Sequence, residues 1–124
     1  GDGDPIRGLD AIVDWSNVLS LGEQQRLAFG RVLVNRPSLV IADEATSAMD
    51  VSAEEIMYKL ISNLTYVSVG HRPTLLKYHD KRLQLHKLNN NDDKDGSRCN
   101  FTFDDICSTT AKGITGDEVN LFFQ

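Results

Sequence analysis

Long hydrophobic runs are missing from this sequence. None exceeds five residues, far short of the roughly 18 apolar residues a membrane-spanning helix needs, so any membrane role must come through a partner or another segment. Clustered basic residues are also absent, which argues against a nucleic-acid surface. Cysteine is scarce: Cys99 and Cys107 both lie near the C-terminal end, without the C-x-x-C or histidine spacing of a zinc site. Free thiols in a reducing compartment fit that usage better than a disulfide. What is present suits a globular core, with 40% hydrophobic and 25% charged residues in 124. The net charge of −5 is uneven. Residues 1–88 carry ten Lys/Arg against eleven Asp/Glu, and residues 89–124 carry three against seven.

The chain divides into three parts. Residues 1–17, rich in Gly and Asp with apolar anchors such as Ile12 and Trp15, read as a lead-in from an upstream part of a larger domain. Residues 18–88 hold the organised pattern. A helix is expected from about Leu21 to Asn35, closed at Arg36-Pro37 because proline disfavours helix in the residue before it. Leu39–Ala42 is an unbroken apolar run, the pattern of a strand covered on both faces in a parallel sheet. Ser52–Asn63 reads as a second helix, with Ser52 as cap, Glu54 and Glu55 at its positive end, and Ile56, Tyr58 and Leu60 as spaced apolar positions. Thr65–Gly70 reads as a second strand, Thr74–His79 as a helical turn, and "RLQLHKL" as a half-exposed alternating strand. This order predicts an α/β fold with a mostly parallel sheet. Residues 89–124 open on "NNNDDKDGS", polar and without periodicity, and read as a disordered acidic tail.

Three constellations carry chemistry. In "LSLGEQQR", Ser20 and Glu23 have the S-x-x-E spacing of a capping box. Gly22 in the first turn leaves backbone N–H groups unshielded, so the helix start is either an ordinary cap or a place for a phosphate. In "LVIADEATSAMD" an apolar strand runs into Asp43 and Glu44, at the strand end where open parallel sheets bind ligands. Asp43 is placed to hold Mg²⁺ and Glu44 to polarise a water, or the pair is simply a solvated strand end. In "VSVGHR" a second strand ends at His71, which shares that edge if the two strands are neighbours. His79 and His86 have no such context and read as structural, as Phe29, Trp15, Phe122 and Phe123 read as packing groups.

The order "LSLGEQQRLAFGRVLVNRPSLVIADEATSAMD" then "TYVSVGHRPTLLKYHD" resembles the ATP-binding cassette (ABC) family: signature motif, Walker B strand, D-loop and switch histidine. In finer detail it is similar to subfamily D, transporters of fatty acids and their acyl-CoA esters in peroxisomes, and to related bacterial and plastid-type exporters. The resemblance implies a partial P-loop NTPase-type domain. It implies that Ser20 and Gly22, with Glu23, contact the γ-phosphate of ATP held by an opposite subunit, that Asp43 binds Mg²⁺, and that Glu44 activates water. Asp50 would close a D-loop crossing a dimer interface, and His71 would stand near the γ-phosphate. Leu21 and Glu23 replace the commoner glycine and glutamine of the signature, and Met49 replaces the usual leucine.

The glycine-rich phosphate loop G-x-x-x-x-G-K-[ST] occurs nowhere in these 124 residues, although it supplies the N–H cradle and phosphate lysine of such sites. The expectation is therefore the C-terminal part of a nucleotide-binding domain, inactive by itself and marginally stable because its two apolar strands lack neighbours. The implied partners are a second nucleotide-binding domain and a transmembrane domain. The implied place is a peroxisomal, plastid or bacterial membrane, with this domain on its cytosolic or stromal side. Two other readings stand beside the transporter: a soluble ABC ATPase of the DNA-repair or translation kind, and a non-hydrolysing interaction module.

Overall fold

The computed structural model describes residues 10–86, 101–106 and 119–124. Three α-helices, α1 (Trp15–Val18), α2 (Leu21–Asn35) and α3 (Val51–Leu60), and a 3-10 helix (Pro73–Tyr78) accompany five strands: β1 (Val40–Asp43), β2 (Tyr66–Val69), β3 (Lys81–Leu85), β4 (Phe101–Asp105) and β5 (Val119–Phe123). The strands form one sheet in the order β1-β2-β5-β3-β4.

Local chemistry sets the helix limits. Asp14 caps the single turn of α1, and Ser20 opens α2 as anticipated. α2 ends where Arg36 turns left-handed, φ 44° and ψ 60°, ahead of Pro37 while its N–H still reaches the Val32 carbonyl. The cap of α3 is Asp50 rather than Ser52: its carboxylate accepts the Ala53 N–H at 2.7 Å, so the helix starts one residue earlier than its apolar spacing indicated. The helix also stops earlier, at Leu60.

The sheet departs from the mostly parallel expectation. Only β1 and β2 run parallel, with Val40 opposite Tyr66 and Asp43 opposite Val69. β5 is antiparallel to both β2 and β3, and β4 is antiparallel to β3. The reason is the C-terminal region. β4 and β5 fall in the region read as a disordered tail, and β5 lies mid-sheet with Phe122 and Asn120 fully buried. Residues 89–100 and 107–118 of that tail, with both cysteines, lie outside the described residues, as do residues 1–9 of the lead-in. β2 thus has neighbours on both sides, and the expected lack holds only for β1, whose outer edge is unpaired among the described residues.

One face of the sheet carries the core. Phe29 of α2, Tyr58 of α3, Met49, Ile61 and Leu75 pack on Val40, Tyr66 and Phe122. His79 is buried among the rings of Tyr58, Tyr66 and Phe122, at 5.1–5.5 Å between centroids. Its Nδ1 lies 2.6 Å from the Leu75 carbonyl and its Nε2 lies 2.8 Å from Ser68 Oγ, which also meets Tyr58 OH at 2.7 Å. Burial lowers the His79 pKa and raises that of Tyr58 to about 12.

The opposite face is apolar and without helices among the described residues. Ile41 is 71% exposed, so β1 is covered on one face and not on two. Along β3 the expected alternation is present with its sides reversed: Arg82 and Gln84 are buried, whereas Leu85 is exposed. Register explains the reversal, because Arg82 stands beside Asp104 and Phe122 on the helix-covered face, while Leu83 stands beside Phe103 and Leu121 on the other.

Candidate functional site

The site lies where β1 and β2 end side by side. Because the two strands are parallel and in register, both chains leave the sheet at one edge. Asp43 is the last residue of β1 and is exposed. Glu44 follows in a left-handed conformation, φ 49°, which is uncommon for a residue bearing a side chain. Its N–H still donates to the Val69 carbonyl at 2.9 Å, so the kink falls at the last rung of the ladder. The carboxylate turns toward the neighbouring strand, where Glu44 Oε1 lies 3.4 Å from His71 Nε2. Gly70 makes room for Leu75 behind this edge: an added Cβ would stand 2.6 Å from a Leu75 methyl, while 3.7 Å from the other Glu44 oxygen is ordinary contact. The strand-end arrangement read from the sequence is therefore present, with Asp43, Glu44 and His71 on one edge.

The start of α2 forms the second part. Both halves of the capping box are made: Ser20 Oγ accepts the Glu23 N–H at 3.3 Å, and Glu23 Oε2 accepts the Ser20 N–H at 2.8 Å. The Ser20 N–H first, and the Ser20 hydroxyl after it, hold the Glu23 carboxyl below its usual range. Gly22 has a further reason to be glycine. A Cβ there would stand 3.1 Å from the Ala48 carbonyl oxygen, so the helix start and the 44–49 turn approach backbone to backbone.

Side chains to which the motif reading gave no role at the site hold these parts together. Gln25 Nε2 donates to the Glu44 carbonyl at 3.1 Å and to Ser47 Oγ at 2.9 Å, while its Oε1 accepts the Ala48 N–H at 3.0 Å. From the other side, Arg72 Nη1 donates to the carbonyls of Thr46 and Met49 at 2.7 and 2.9 Å and pairs with Glu54 Oε2 at 3.1 Å. Glu54 is fully buried. Thr46 donates to it at 2.7 Å, and so does Thr74. The acidic pair at the start of α3 thus splits: Glu54 faces the core, and Glu55 faces solvent with Lys59 at 2.9 Å. The available signal was helical spacing, since Glu54 lies four residues before Tyr58 and seven before Ile61, on the buried stripe.

These residues fit part of a nucleotide site. Mg²⁺ bound with a nucleotide takes most of its ligands from phosphates and water and needs one or two carboxylates, a demand that exposed Asp43 meets. No group of three or more His, Cys, Asp or Glu side chains able to hold a metal exists among the described residues.

Asp43, Glu44 and His71 thus share a sheet edge near a serine-capped helix, and residues 8–47 match the ABC transporter family model. The chain is similar to ABC transporter proteins, members of subfamily D among them. It is 54% identical over 84 residues to ABC transporter D family member 2, chloroplastic, of Arabidopsis thaliana, a match covering 66% of this chain and 12% of that protein. It is 48% identical over 83 residues to a lysosomal cobalamin transporter of Mus musculus, covering 64% and 14%. It is 39% identical over 83 residues to ATP-binding cassette sub-family D member 1 of Drosophila melanogaster, covering 65% and 11%. The chain thus spans about an eighth of the length of these curated relatives. No helix among the described residues is long and apolar enough to cross a membrane.

Proposed function

We propose that this chain is the signature and Walker B part of an ATP-hydrolysing motor in a transmembrane transporter of subfamily D type. The observation that carries the reading is the 3.4 Å approach of Glu44 to His71 at the ends of two adjacent parallel strands. Glu44 acts as the general base that orients and deprotonates the attacking water, and His71 holds the other side of that water and the terminal phosphate. Asp43 anchors Mg²⁺, which supplies charge neutralisation on the phosphates when bound with ATP. Ser20 and Gly22 present a hydroxyl and free N–H groups to the terminal phosphate of ATP held by a second nucleotide-binding domain. Glu23 holds the Ser20 end of that helix in shape. Asp50 both caps α3 and ends the D-loop at the contact with that second domain.

The phosphate loop completing each site comes from a part of the domain outside these 124 residues, and the chain by itself does not hydrolyse ATP. We infer a membrane domain elsewhere in the protein and, on the family resemblance, a position for this segment on the cytosolic or stromal side of a peroxisomal, plastid or bacterial membrane. For the cargo we infer fatty acids, acyl-CoA esters or related lipids, on the subfamily resemblance. The mouse relative is named for cobalamin. Acyl-CoA stimulation of the transporter's ATPase, compared with cobalamin, tests the lipid assignment.

The motor reading is tested by Glu44→Gln in the full-length transporter. That variant keeps nucleotide binding and loses nearly all turnover; unchanged hydrolysis would sink the role given to Glu44.

A further inference from the structure

We propose that Gln25 is a positioning residue that fixes the turn carrying Glu44 to the signature helix, so that turnover depends on its hold on that turn. The inference rests on the motor reading above and adds a residue to it. Gln25 sits in the second turn of α2, half-buried, and its amide reaches the 44–49 turn at three points: the Glu44 carbonyl, Ser47 Oγ and the Ala48 N–H, at 3.1, 2.9 and 3.0 Å. One end of the group must donate and the other must accept. A carboxamide of this length does both; a carboxylate of the same shape only accepts, and would direct negative charge at the Glu44 carbonyl.

The bond to Glu44 falls where the backbone is most constrained. Glu44 is left-handed at φ 49°, a conformation that persists when surrounding contacts over-determine it. Its carbonyl accepts from Gln25 Nε2 and from the Ser47 N–H at 3.2 Å, while its own N–H is spent on Val69. Without Gln25 the carbonyl keeps one local donor, and the Ala48 N–H loses its acceptor. The kink that aims the carboxylate at His71 is then held only from the β2 side and by Arg72 further along the turn. Gly22 permits the close approach that Gln25 makes, with its Cβ position 3.1 Å from the Ala48 carbonyl oxygen.

The test is made in the purified full-length transporter with Gln25→Ala, Gln25→Glu and, in parallel, Glu44→Gln. Steady-state hydrolysis over a range of ATP concentrations, nucleotide binding and peptide-level hydrogen exchange across residues 44–49 are measured together. In both Gln25 variants we expect kcat to fall at least about tenfold with KM for ATP within about twofold, and exchange across the turn to accelerate. The isosteric glutamate should not rescue. Wild-type kcat in the Gln25 variants beside an inactive Glu44→Gln overturns this inference alone. A kcat per nucleotide-competent site that stays at the wild-type value while the folded fraction drops also overturns it, assigning Gln25 to stability only. Wild-type turnover in Glu44→Gln overturns the motor reading itself.

Discussion

Phe122→Ala removes the largest fully buried side chain from the strand that joins the two halves of the sheet. Its neighbours include the His79 ring at 5.5 Å and the cluster of Tyr58, Tyr66 and Leu75. Truncating a buried phenylalanine costs about 3–5 kcal/mol, part lost transfer energy and part the cavity left behind. Domains of this size are stable by about 5–15 kcal/mol, so the variant loses about a fifth of the total or more. With a urea slope of about 1.5 kcal/mol per molar, the unfolding midpoint falls by about 2 M or more. Phe101→Ala is the control: that ring is 58% exposed on β4, and its loss should cost under about 1 kcal/mol. Urea unfolding of the 124-residue chain, followed by circular dichroism, gives both midpoints. Hydrogen exchange should show β2 and β3 losing protection together in Phe122→Ala, because β5 pairs with both. A Phe122→Ala midpoint no lower than that of Phe101→Ala would refute the mid-sheet placement of the C-terminal strand.

Two more expectations concern buried polar groups. Arg72→Met leaves the carboxylate of Glu54 fully buried with only the Thr46 and Thr74 hydroxyls, which should cost about 3 kcal/mol. Glu54→Gln should cost less, about 1 kcal/mol, because Arg72 is partly exposed and can recruit water; a urea double-mutant cycle showing no coupling would contradict the pairing. His79 is kept neutral by burial, its pKa lowered from 6.5. The unfolded chain therefore binds a proton that the folded chain refuses, so this contribution is complete above pH about 6.5 and is lost as pH falls below it. Urea midpoints at pH 5 to 8 should show that slope, and His79→Gln should flatten it.

Some of the molecule was legible along the chain and some was not, for physical reasons. α2 could be bounded to the residue because its signals are local: the capping box from Ser20 to Glu23 and the block at Arg36-Pro37. The convergence of Asp43, Glu44 and His71 was legible because it needs only two strands in parallel register. Glu54 was read only as a dipole partner because capping position and buried stripe overlap in the first turn of α3, and tertiary contact with Arg72 decides between them. The tail strands were missed because each is stabilised by partners distant in sequence: β4 pairs with β3, and β5 with β2 and β3. Which side of β3 is covered could not be read from its alternation for the same reason, since Asp104 makes a buried Arg82 tolerable. Gln25 gives no periodic signal; its importance lies in the geometry of the turn it meets.

The central place of β5 has a consequence for the order in which this sheet is assembled. Synthesis runs from β1 to β5, and fifty residues separate Val69 from Val119. While the chain grows, β1 and β2 can pair, and later β3 and β4, but the two ribbons have no strand between them until Val119–Phe123 emerges. Long-range closure of this kind is slow, and the growing polypeptide carries two unpaired edges, on β2 and on β3, through that interval. Those edges are open to pairing with other chains, so crowding on one messenger, or a lack of chaperones, should reduce the yield of folded protein.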